Sequence, residues 1–145
     1  MKNLVIKTLR RQGKASALAL REKAPEMTGT ELIAEEDFIP DFGPKKDYSK
    51  WPVDSPVRDE GQVWTLLIPH NAAHYDGRPS SLRALWGLAH TKDPAKAKPY
   101  VAPFGTSGLY MKDECMRWED GFVYRSILDD NAYTPESYPD GWELV

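Results

Sequence analysis

The chain has 145 residues, a formal net charge of −3, 41% hydrophobic and 11% aromatic residues and a mean hydropathy of −0.59, the make-up of a soluble protein of one ordinary domain or two minimal ones. Its longest uncharged apolar run, Trp64 to Ile68, is far short of the ~20 residues of a membrane span, and Lys7, Arg10, Arg11 and Lys14 interrupt any apolar core of a secretory leader. The single cysteine, Cys115, excludes an intramolecular disulfide and is expected to pack as a small hydrophobe in a chain that needs no cross-link.

The net charge conceals a split. Residues 1–24 carry seven Lys and Arg against one Glu, and residues 25–47 two Lys against seven acids. Such an arrangement suggests an arm that meets a charged surface. The arm lacks interleaved aromatics and contains Leu4, Val5, Ile6, Leu9, Leu18 and Leu20, which favours a protein partner over nucleic acid. Within it, alanine-rich Lys14 to Lys23 predicts a helix that stops before Pro25. Thr30 to Glu36 predicts a second helix, capped by Thr30 and too short to stand alone. From Ile39 to Pro56 the prolines and Gly43 predict an extended strap. Leu32, Ile33, Phe38, Ile39 and Phe42 cannot be covered by such an arm itself, so residues 1–50 are expected to order on a partner through these side chains.

Beyond the arm the chain repeats itself. Asp59-Glu60-Gly61-Gln62-Val63-Trp64 returns as Glu119-Asp120-Gly121-Phe122-Val123-Tyr124; Asn71-Ala72 returns as Asn131-Ala132, and Trp86-Gly87-Leu88 as Trp142-Glu143-Leu144. The offset is 60 up to the Asn-Ala pair and 56 from Pro79/Pro135 onward, so one four-residue indel separates two copies of a module. An acidic pair followed by glycine between apolar and aromatic runs is a hairpin signal. Each copy then reads as hairpin, polar loop and closing strand. The predicted fold is mainly β: two small three-stranded hairpin-plus-strand modules in tandem, residues 51–90 and 106–145, joined by a Pro/Lys linker at 91–105 and preceded by the helical and extended arm. Trp86 and Trp142, in the closing strands, are expected in the thin cores, where each aromatic can bury ~150–250 Å².

The order of hairpin, aromatic, polar loop, proline and terminal Trp-Glu-Leu-Val resembles the chitin-binding type carbohydrate-binding modules of families 5 and 12, and more closely their tandem forms in virion proteins of bacteriophages and prophages of Gram-positive hosts. The likeness is carried by Tyr110-Met111-Lys112-Asp113, Gly121-Phe122-Val123-Tyr124, Asp130 to Pro139 and Gly141-Trp142, and by the leader Ala24 to Phe42. It implies a virion structural or accessory protein of head or tail, of fibre or decoration type, made in the host bacterial cytoplasm. Its implied partners are capsid or tail proteins and host cell-wall polysaccharide. A module that targets a separate enzyme to chitin or peptidoglycan is the alternative. Two thin modules bury little surface, which predicts a homo-oligomer, with a trimer as the expected fibre-like state. One departure concerns the ligand: where sugar-stacking aromatics are expected after the hairpin, this chain has Leu128-Asp129 and Ile68-Pro69.

The residues left for a saccharide are Tyr75 and Tyr133, in the loops after each hairpin, with Asn71 and Asn131 as hydrogen-bonding neighbours. Enzyme motifs are not legible. His70 and His74 have the i, i+4 spacing of zinc ligands, but Asn71 stands where a metalloprotease has glutamate and no third ligand is near in sequence. Asp59-Glu60 and Glu119-Asp120 are turn residues, and solvated turns do not raise a carboxylate pKa for acid catalysis. Gly105-Thr106-Ser107-Gly108 lacks the lysine of a phosphate loop. The chain is read as non-enzymatic, with no cofactor and no metal.

Overall fold

The computed structural model describes the backbone of residues 2–145 and the side chains of residues 13–145. The side chains of Leu4, Val5, Ile6 and Leu9, expected in the docking arm, lie outside the described residues. The first element, helix α1 (Lys2–Lys23), ends in a single 3-10 turn at Ala24–Glu26. It starts well before the alanine-rich stretch because only Gly13 interrupts its helix formers, at a cost of about 1 kcal/mol relative to alanine. Pro25 stops it, since the residue before a proline is pushed out of the helical region. Helix α2 (Gly29–Ala34) is capped by Thr28, not Thr30: Glu31 N donates to Thr28 Oγ1 at 3.2 Å and Thr28 N donates to Glu31 Oε1 at 3.0 Å. Thr30 Oγ1 instead accepts a bond from Lys92 N, 62 residues away.

Among the described residues seven short strands form two sheets. The first contains β1 (Pro56–Asp59), β2 (Gln62–Leu66) and β3 (Trp86–Leu88) in that order, all antiparallel. The second contains β4 (Lys98–Pro99), β5 (Cys115–Arg117), β6 (Val123–Ser126) and β7 (Trp142–Leu144); β4 runs parallel to β5 and the others are antiparallel. The expected three-stranded modules are therefore present as sheets, the second with an added edge strand. Calling the chain mainly β overstates these strands, which are two to five residues long beside a helix of 22.

The duplication recurs bond by bond. Trp64 pairs with Leu88 and Leu66 with Trp86; Tyr124 pairs with Leu144 and Ser126 with Trp142. Asp54 and Asp113, at φ of 72° and 75°, donate their N–H to Leu66 O and Ser126 O. Arg78 N and Thr134 N each donate to the serine hydroxyl three residues on, at 3.0 Å. The hairpin turns differ. Asp59 and Gln62 bracket the two-residue turn Glu60-Gly61, both at positive φ, whereas Trp118 N donates to Phe122 O across Glu119-Asp120-Gly121. The extra residue shifts the incoming strand, so Val57 faces Trp64 while Met116 faces Tyr124. Asp59 and Trp118 consequently occupy the same hairpin position.

The arm belongs to the first module's core. Alternation along β2 sends Trp64 and Leu66 to one side of the sheet and Val63 to the other. The first side is filled by Phe42, Tyr48, Val57, Ala72 and Trp86; the second by Leu20, Ala24, Leu32, Ile33, Ile39 and Ala89 around Val63. Leu32, Ile33, Ile39 and Phe42, expected to meet a partner, are thus buried inside this chain, and only Phe38 of that set is exposed, at 49%. The physical reason is that a three-stranded sheet whose central strand is apolar on both faces leaves one face wet unless another segment covers it. Backbone bonds fasten the strap along the edge: Phe42 N donates to Arg58 O at 2.7 Å and Arg58 N to Pro40 O at 2.8 Å. Arg21 lies 3.4 Å from the centre of the Trp51 ring and ties α1 to the same module.

Residues 91–105, expected as a linker, are bonded to both sheets and to the arm. Cys115 N donates to Thr91 O at 2.7 Å, Gln62 Nε2 donates to Pro99 O at 2.9 Å, and Lys98 pairs with Glu36. His90 sits at the centre of this junction, where its Nε2–H donates to Gly108 O at 2.8 Å and its ring stacks on Tyr110 with centroids 3.7 Å apart. Burial pulls its pKa down from 6.5 to about 4, although the Gly108 bond resists the shift. Because the folded value is the lower one, the unfolded chain takes up the extra proton first. Stability is full above pH 6.5 and falls as pH drops towards about 4, by on the order of 3 kcal/mol. Melting temperatures recorded across that window should show the loss, and His90→Gln should flatten its part of the slope; an unchanged slope would assign the titration to other groups.

Candidate functional site

The second module carries an open cleft of about 470 Å³ lined by Trp118, Glu119, Asp120, Tyr124, Pro135, Glu136, Pro139 and Trp142. Each wall follows from local structure. The three-residue hairpin presents Trp118, Glu119 and Asp120. Strand register puts Tyr124 and Trp142 diagonally across the same face of β6 and β7. The loop between Asn131 and Gly141 brings the two prolines and Glu136, and is held by a 3.0 Å bond from Trp142 Nε1 to Tyr133 O. Trp118 is supported from behind by Tyr100, ring edge to face at 5.1 Å.

The cleft combines aromatic faces with three carboxylates. Asp120 is anchored: Oδ1 accepts from Phe122 N at 2.9 Å and Oδ2 from the Tyr124 hydroxyl at 2.6 Å. That bond to a carboxylate raises the Tyr124 pKa, because the proton it shares is harder to lose. Glu119 and Glu136 make no hydrogen bond or ion pair among the described residues. From 127 to 145 the chain contains five acids and no Lys, Arg or His.

The first module fills the corresponding positions with its own cations. Trp64 occupies the Tyr124 position and is buried, with the Arg83 guanidinium over its ring at 5.4 Å. Arg83 corresponds to Pro139 by the offset of 56. Arg78, at the Thr134 position, grips Asp59 through Nε and Nη2 at 2.9 Å each.

The residues expected to bind a saccharide are distributed differently. Tyr133 and Tyr138 form an exposed edge-to-face pair, centroids 5.1 Å apart, on the loop that walls the cleft, but neither lines it. Tyr75 is exposed and rests on His70 in the first module. Asn131 is fully buried and is not available to a ligand: its amide donates to Ser126 Oγ and Gly141 O and its oxygen accepts from Tyr133 N, all at 3.0 Å. A buried amide must be paired internally, and here that pairing shapes the loop. Asn71 is half-buried and caps a turn through Ala73 N. His70 is buried with Nδ1 donating to Ile68 O, and no group of three or more His, Cys, Asp or Glu among the described residues could hold a metal.

Trp118, Tyr124, Glu119, Asp120 and Glu136 escape a reading that treats the acidic pair as a solvated turn. The available signal was comparative: two arginines in the first loop, none in the second. Comparison with known proteins finds no protein-family model and no curated protein that matches the chain. No described helix is long and apolar enough to cross a membrane.

Proposed function

We propose that the chain is a non-enzymatic bacteriophage virion accessory protein, of fibre or decoration type, whose second module adheres to host cell-wall polysaccharide. The observation that carries the adhesive part is the open cleft walled by Trp118, Tyr124 and Trp142 with carboxylates at its rim. Flat aromatic faces suit the C–H faces of pyranose rings and the carboxylates accept from hydroxyls. The exposed Tyr133–Tyr138 pair extends the apolar surface along the same loop. The virion setting rests on the resemblance of residues 24–145 to tandem modules of phage particles. In that setting weak single contacts are multiplied by copy number on the particle.

Two measurements test this. Mass spectrometry of purified particles should detect the chain at a copy number in keeping with a structural component. Purified protein should be retained on cell-wall polysaccharide of a Gram-positive host, and Trp118→Ala should weaken that retention by about tenfold or more, as loss of an aromatic anchor does. Absence from particles removes the virion assignment. Retention unaffected by Trp118→Ala removes the cleft.

A further inference from the structure

The two modules differ most at the cleft, and the difference identifies a chemical preference. Resting on the saccharide reading above, we infer that the second module's cleft selects sugars bearing a free ammonium group, hexosamine units without the N-acetyl cap, over neutral N-acetylated ones.

The first module shows what its hairpin acid and its β2 aromatic are built to hold. Asp59 is gripped bidentately by Arg78, and the Trp64 face is covered by the Arg83 guanidinium. Both arginines come from the loop that precedes the closing strand. In the second module Thr134 and Pro139 take their places and Trp118 takes that of Asp59, so the scaffold keeps the turn acids, whose counterpart Glu60 lies 3.8 Å from Arg78 in the first module, and the aromatic face, and loses the cations. The strand cation Arg125 is turned towards Glu143 at 4.0 Å. Glu119 and Glu136 are therefore left uncompensated beside Trp118 and Tyr124, and Asp120 is already oriented by Tyr124. A cation over an aromatic ring with carboxylates beside it is the arrangement that attracts an ammonium group. The cavity, at about 470 Å³, holds far more than one guanidinium, and its Pro135, Pro139 and aromatic walls match a pyranose ring better than a single extended side chain. An amino sugar satisfies both demands: the ring lies on the apolar walls while the ammonium group meets the acids. N-acetylation would remove the charge and leave the carboxylates desolvated against a neutral amide, a cost that supplies the discrimination.

Titration calorimetry on the whole chain tests the inference with three probes: a glucosamine tetrasaccharide, its fully N-acetylated counterpart and an arginine-containing tripeptide. The glucosamine oligomer should bind about tenfold or more tighter than the acetylated one, and its affinity should fall severalfold between about 0.05 M and 0.5 M salt. The double substitution Glu119→Gln with Glu136→Gln should erase the preference without moving the melting temperature. Pro139→Arg should lower the affinity for the glucosamine oligomer by placing in the second cleft the cation that the first module supplies itself. Equal binding of both oligosaccharides overturns the ammonium preference and leaves the saccharide reading standing. Binding of neither sugar overturns both, and binding of the arginine peptide alone replaces the sugar with a protein partner. A preference that survives the double substitution also overturns the inference.

Discussion

Replacing Trp142 by alanine is expected to cost about 3–5 kcal/mol and to unfold the second module. The buried members of that hydrophobic cluster, among the described residues, are Tyr110, Met116 and Trp142. The Trp142 ring packs against Tyr110 at 5.3 Å, and its Nε1 holds the loop that carries Tyr133. Trp86→Ala should be equally damaging, since its fully buried ring meets Phe42, Tyr48 and His70 edge-on. Tyr133 is 51% exposed, so Tyr133→Ala should change stability by no more than about 0.5 kcal/mol. Thermal melting of the three variants checks the contrast. Early melting of Tyr133→Ala would place that ring in the core after all.

Deleting residues 1–42 should abolish cooperative folding of the first module. The deletion strips one entire face of its sheet, removing Leu20, Ala24, Leu32, Ile33 and Ile39 from around Val63, and takes Phe42 from the other face. A single substitution samples the same interface: Ile33, with no exposed surface, should cost about 2–5 kcal/mol when cut to alanine. Circular dichroism melts and limited proteolysis report the outcome. Protease should leave a resistant fragment that begins upstream of Leu32. A stable fragment starting near Trp51 would show that the arm only decorates an independent module.

What the sequence disclosed was what repeats. Turn glycines and the two closing tryptophans follow from local chemistry and from the 60 and 56 offsets, and the pairing of the closing strands recurs in both sheets. Tyr48 and Asp54 belong to the repeat as well, opposite Tyr110 and Asp113, but a gap of three residues between them hides the match. Partners distant in the chain could not be read. Leu32 and Ile33 look stranded until β2 is known to be apolar on both sides. Thr30 looks like a cap until Lys92 is seen to donate to it. Asn131 looks like a ligand for sugar because an amide in a polar loop gives no sign that Ser126 and Gly141 will enclose it. The cleft was hidden for a related reason: carboxylates at a turn resemble solvated ones unless the missing arginines are noticed.

The placement of the arm against Val63 and Ala89 also sets an order of events during synthesis. Leu20, Leu32, Ile33 and Ile39 leave the ribosome before the surface they will cover exists, because that surface is complete only once residue 89 has been made. At about 5–20 residues per second, those side chains wait on the order of several seconds in a nascent chain with nothing native to pack on. During that interval they are exposed apolar surface, the kind of surface that draws chaperones or aggregates. Yield in the cell should therefore respond to translation speed between codons 40 and 90.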